Sequence, residues 1–105
     1  MNQPNLTYIN KLSNGDKDFS KKLIEVIKFE FPTEKTIYYN HMISKKYKDA
    51  AENVHKMKHK ISILSYEKGY ELASKHEDNL KKNNNKLEKE FEEVLNRIST
   101  FLTLI

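Results

Sequence analysis

Apolar positions recur along this chain in steps of three and four, with polar and charged residues between them. The clearest stripe is Leu87, Phe91, Val94, Ile98, Phe101, Leu102 and Ile105. A second runs through Tyr47, Ala50, Val54, Met57, Ile61 and Leu64, and a third through Phe19, Leu23, Ile27, Phe31, Tyr38 and Met42. Tyr66, Tyr70, Ala73, Glu77 and Leu80 share the same spacing. Each set places one face of a helix against a core. No stretch alternates with period two for long enough to suggest a sheet.

The punctuation between stripes predicts the boundaries. Pro4 to Leu12 reads as a short helix with Leu6, Ile9 and Leu12 on one side. Gly15 suits a left-handed helix end, and Asp16 suits the cap of the next helix. That helix is expected from Asp16 to about Ser44, kinked at Pro32, because proline lacks the amide hydrogen an interior position needs. Ser65 is the expected break after the Tyr47 helix and the cap of the following one. Asn85 is the expected cap of the last helix, and Gly69 weakens the helix that contains it. The prediction is an all-α protein: an antiparallel four-helix bundle with a short additional N-terminal helix, in one domain spanning residues 1–105.

Composition narrows the chemistry. Cysteine is absent, which excludes disulfides, thiolate metal sites and cysteine nucleophiles. The apolar runs are too short to span a membrane. The start, Met-Asn-Gln-Pro-Asn, lacks the basic and apolar regions of a signal peptide, so the expected location is cytoplasmic. The formal charge is +4, and residues 44–64 hold six lysines against Asp49 and Glu52, which equals that whole excess. An acidic partner is implied for this region. Arg97 is the only arginine, which argues against nucleic acid, whose readers rely on arginine.

The lysine-rich helix carries His55. On a helix turning about 100° per residue, the buried stripe averages about 130° away from His55. His55 therefore faces water, with His59, Ser62 and Ile63 on the same side. His41 and His76 fall close to packing stripes and read as partly buried histidines. His55 and His59 have metal-capable spacing, but the further ligands and the glutamate of a zinc-protease motif are missing, so no metal is expected. Lys56, Lys58 and Lys60 surround His55, and cationic neighbours disfavour imidazolium. Neutral imidazole is the nucleophilic form. Ile63 reads as exposed, beside the nucleophile, as part of a docking patch. There are no paired carboxylates, no glycine-rich phosphate loop and no serine triad. A chain with this inventory offers one side chain to a partner that supplies the rest.

The run Ala51-Glu52-Asn53-Val54-His55-Lys56-Met57-Lys58, followed by Ile63-Leu64-Ser65-Tyr66, resembles the histidine-containing phosphotransfer (HPt) domain. The segment from Tyr8 to Asp16, then Phe19 and Leu23, and Phe31-Pro32, are also similar to that family. The resemblance covers essentially the whole chain. It implies a phosphorelay carrier in two-component signal transduction. His55 accepts a phosphoryl group on its outer ring nitrogen from a receiver-domain aspartyl phosphate and passes it to another receiver. Lys58 stabilises phosphoryl charge, and Lys56, His59, Ser62 and Ile63 contact the partner. The implied partners are response-regulator receiver domains and a hybrid sensor histidine kinase. The chain has no cofactor of its own, magnesium comes from the receiver, and neither autokinase activity nor an oligomer is expected. Two positions depart from the pattern: His59 stands where the family has glycine four after the histidine, and Ser65 replaces the glycine before the next helix. Two other readings follow from the same residues: an adaptor whose basic face binds an acidic protein or nucleic acid, and an HPt-like fold that has lost transfer through His59.

Overall fold

The computed structural model describes residues 3–105; the first two residues of the segment read for targeting lie outside it. Five helices and no strands are found among the described residues: α1 (Thr7–Ser13), α2 (Lys17–Ile43), α3 (Tyr47–Ile63), α4 (Glu67–Lys81) and α5 (Glu88–Thr103). At about 1.5 Å per residue, α2 alone is roughly 40 Å long, which sets the long axis of a body measuring 44 × 24 × 19 Å. Helix α3 packs against α2 and α4, α5 packs against α4 and α2, and α1 lies on α2. No helix among the described residues is long and apolar enough to cross a membrane.

Most of the predicted stripe positions form the core, but Phe19 and Tyr70, expected on packing faces, are 45% and 40% exposed. Ile27, Phe31, Tyr38 and Met42 of α2 meet Ala50, Val54, Met57 and Ile61 of α3, Ala73 and Leu80 of α4, and Phe91, Leu95 and Ile98 of α5. Helix α2 runs unbroken through Pro32, and the Thr36 hydroxyl donates to the Pro32 carbonyl at 3.0 Å. Helix α1 begins at Thr7 rather than Pro4; Ile9 is buried but Leu12 stays half exposed. Gly69 has a packing reason. A Cβ there would lie 2.7 Å from Cδ2 of the Tyr66 ring.

The turns correct the sequence reading in detail. Asp16 caps α2 as expected, its carboxylate accepting from the Phe19 amide at 3.0 Å. Ser65 does not cap α4, which starts after Tyr66 without a side-chain cap, and Asn85 does not cap α5, which starts after Leu87. Asn85 instead donates its amide to the Tyr47 hydroxyl at 3.2 Å. Helices α2, α3 and α4 end in one motif. The residue after each C-cap is left-handed, at φ 57° for Lys45, 58° for Ser65 and 62° for Asn83. In each case a 6→1 backbone bond follows: Lys46 to His41 at 2.8 Å, Tyr66 to Ile61 at 3.2 Å and Asn84 to Asn79 at 2.8 Å. These bonds satisfy carbonyls that the helix end would otherwise orphan. The usual glycine is absent from all three positions.

Candidate functional site

His55 sits in the third turn of α3, on the side away from the core stripe. Its side chain is 62% exposed. The feature absent from the sequence reading is the pairing of His55 with Glu77 of α4. Glu77 occupies a core-facing position between Ala73 and Leu80, and its side chain is only 7% exposed. One carboxylate oxygen lies 3.1 Å from Nδ1 of His55, and the other accepts from Nζ of Lys58 at 3.1 Å. Lys81, one turn along α4, adds a contact of 3.3 Å. A buried carboxylate is costly unless paired, and three basic groups pair this one. Burial works against its ionisation, but the hydrogen bonds and charges of Lys58 and Lys81 outweigh that and hold the Glu77 carboxyl below its usual range. Glu77 is therefore an anion at neutral pH.

This arrangement sets the chemistry of His55. In the neutral ring, Nδ1–H donates to Glu77 and the lone pair resides on Nε2. A carboxylate behind an imidazole fixes its tautomer and orientation and stabilises positive charge when the ring acquires it. The lysine environment expected to surround His55 is correspondingly weaker. Lys58 is held by Glu77 and lies over the Tyr70 ring, 5.1 Å from its centroid. Lys60 points to α2, where Glu30 and Glu34 bind it at 3.0 and 2.9 Å. Burial would lower its pKa, yet the two carboxylates raise it overall.

Two shallow grooves meet at His55. The first, about 290 Å³, is lined by Tyr8, His55, Lys58, His59, Ser62, Ile63 and Tyr70. The second, about 540 Å³, is lined by Lys48, Ala51, Glu52, His55, Lys56, Glu77 and Lys81. The predicted site residues thus border His55, with Lys56 on the opposite side from the others. His59 stacks edge-on against His55, with ring centroids 5.9 Å apart. Ile63 differs from expectation: it is half-buried and packs against the core. The chain before α1 reaches the end of α3, where the Asn5 amide donates to the Leu64 carbonyl at 2.8 Å. The Ser65 hydroxyl accepts from the Tyr8 amide at 3.1 Å, which brings the Tyr8 ring to the first groove.

Sequence reasoning missed Glu77, Lys81, Tyr8 and Tyr70. Glu77 did carry a signal, an acid in a run of apolar positions on α4, because a carboxylate there needs a basic partner from a facing helix. No protein-family model, curated protein or solved structure matches the chain.

Proposed function

We propose that this chain is a histidine phosphotransfer carrier and that its four longer helices form an antiparallel four-helix bundle with α1 laid against it. The observation that carries the reading is an exposed imidazole whose inner nitrogen rests on a buried carboxylate. A solvent-facing histidine gains nothing for packing from such a partner, and a nucleophile needs one. The closed order of packing neighbours α2, α3, α4 and α5 supports the bundle.

In this reading the Nε2 lone pair attacks the phosphorus of a receiver's aspartyl phosphate. The N–P bond forms as the P–O bond to the aspartate breaks, and the aspartate leaves as a carboxylate. The ring, carrying Nδ1–H and the phosphoryl group, becomes cationic, and Glu77 offsets that charge. The transition state is loose and in-line, so catalysis is mostly positioning and charge compensation. The receiver brings magnesium. Lys58 keeps Glu77 ionised and lines the groove beside His55, its charge partly offset by that carboxylate. Transfer to a second receiver is the same step reversed. Lys56, His59, Ser62 and Ile63 form the rim that a docked receiver covers. The adaptor reading loses force because Lys58 and Lys60 are each paired with carboxylates.

The test is incubation of the chain with magnesium and a phosphorylated receiver domain. The expected product is acid-labile, base-stable phosphate on the chain. His55→Gln should abolish it at a cost of about 1 kcal/mol in stability, because the imidazole is one of three partners of the buried Glu77 carboxylate. Absence of such phosphate on the wild-type chain, or its retention in the variant, overturns the reading.

A further inference from the structure

His59 has no chemical task in phosphotransfer as described, yet it stands one turn from His55 on the exposed side of α3. The ring planes are at 82° and the centroids 5.9 Å apart. Two imidazoles at i and i+4 on a helix are spaced to chelate one metal ion, at about 2.0–2.1 Å from each nitrogen. Spacing alone is common. The second observation is the carboxylate behind the first ring. Glu77 occupies Nδ1 of His55, which leaves Nε2 as the donor. Ligating histidines characteristically have such a carboxylate on the other nitrogen, because it orients the ring and raises its basicity. The third is electrostatic. Lys58, the lysine lining the same groove, has its ammonium on Glu77 and over Tyr70, so its charge is partly neutralised where a cation would enter.

We infer that His55 and His59 form a two-imidazole site for a borderline divalent transition metal, zinc above all, and that its occupancy blocks His55 as a nucleophile. Magnesium and calcium prefer oxygen ligands and do not fit; nickel and copper(II) do. No cluster of three or more His, Cys, Asp or Glu side chains able to hold a metal occurs among the described residues. Water completes the coordination, which makes this an open, reversible site and not a structural centre. The Nε2 lone pair that binds zinc is the one that attacks phosphorus, so metal binding and phosphoryl acceptance exclude each other. The blocking step rests on the phosphotransfer reading; the binding site does not.

The test is calorimetric titration of the tag-free full chain with zinc chloride at neutral pH. Wild type should bind a single equivalent. His59→Ala and His55→Gln should each weaken binding at least about tenfold, since each removes one arm of an intramolecular chelate. His41→Ala, which removes a histidine held by Asn53, should leave binding unchanged. Undetectable binding in wild type, or binding as tight as wild type in either α3 variant, overturns the inference. Phosphate acceptance is then compared with and without saturating zinc, using one receiver for all chains so that effects on the receiver cancel. Zinc should reduce acceptance at least tenfold in wild type and less than twofold in His59→Ala. Equal reduction in both overturns the block. Zinc bound at the pair by a chain that accepts no phosphate leaves the site standing and removes the phosphotransfer reading. Normal acceptance without zinc binding removes the inference alone.

Discussion

Glu77 decides most of what His55 can do, and its variants separate orientation from charge. Glu77→Gln keeps a side-chain oxygen that can accept from Nδ1–H but removes the anion. Phosphoryl acceptance should fall by roughly a hundredfold, the scale on which preorganised charge stabilisation operates, while single-turnover kinetics still show His55 as the acceptor. Lys58→Ala should also slow transfer, because Glu77 keeps Lys81 but loses its shortest ammonium contact. Lys60→Ala is the control. It strips a partner from Glu34, a half-buried acid on α2, and should cost about 1 kcal/mol of stability with transfer rates unchanged. If Lys60→Ala slows transfer as much as Lys58→Ala, general attraction of an acidic partner explains both and Lys58 has no specific role.

Helix ends show what sequence patterns can and cannot carry. Lys45 and Ser65 take the left-handed conformation at a cost of about 1 kcal/mol or more, and Asn83 takes it more readily, because the chain must turn after each helix and close the same 6→1 backbone bond. Lys45→Gly should therefore raise stability by about 1 kcal/mol in urea unfolding. Ser65→Gly should gain less, or nothing, because it also removes the hydroxyl that receives the Tyr8 amide. Equal gains would mean that this bond contributes little to seating α1. The helices themselves were legible, since apolar steps of three and four demand them, and the outward aspect of His55 followed from the same angles. The caps at Ser65 and Asn85 were misassigned because side-chain capping depends on which neighbour offers an amide, and Tyr8 is 57 residues away from Ser65. Helix angles place Ile63 only relative to its own helix's stripe, and the packing around the end of α3 that half-buries it lies outside that frame. Spacing places Glu77 on the α4 stripe but carries no information about its partners on α3, His55 and Lys58.

At the scale of the whole molecule, the residue before Glu77 links the core to pH. His76 is fully buried, 0% exposed. Its Nε2 meets the Tyr38 hydroxyl at 2.8 Å, and its Nδ1 has no hydrogen-bond partner. Phe91 packs on the ring, at 5.0 Å between centroids. Burial disfavours the imidazolium and pulls the His76 pKa down to about 4 from 6.5. The same burial raises the Tyr38 hydroxyl above its usual range, which keeps it a donor throughout the working pH range. The unfolded chain therefore binds a proton at this position from about pH 6.5 downward, while the folded chain resists until about pH 4. Stability must fall as pH drops through that window, by about 2 kcal/mol between neutrality and pH 4.5. Glu77 works in a lower range. Its folded pKa is depressed, so its contribution is present above the unfolded carboxyl value and lost only as pH falls further. The two groups thus make acid unfolding a two-part process led by the histidine. Urea titrations at pH 7 and pH 4.5 test this with His76→Gln, whose amide does not titrate. Wild type should lose about 2 kcal/mol between the two conditions. The variant should start lower at neutrality, having given up the histidine–tyrosine bond, and then lose less than about half as much. A variant that loses as much as wild type would place the proton-sensitive group elsewhere in the fold.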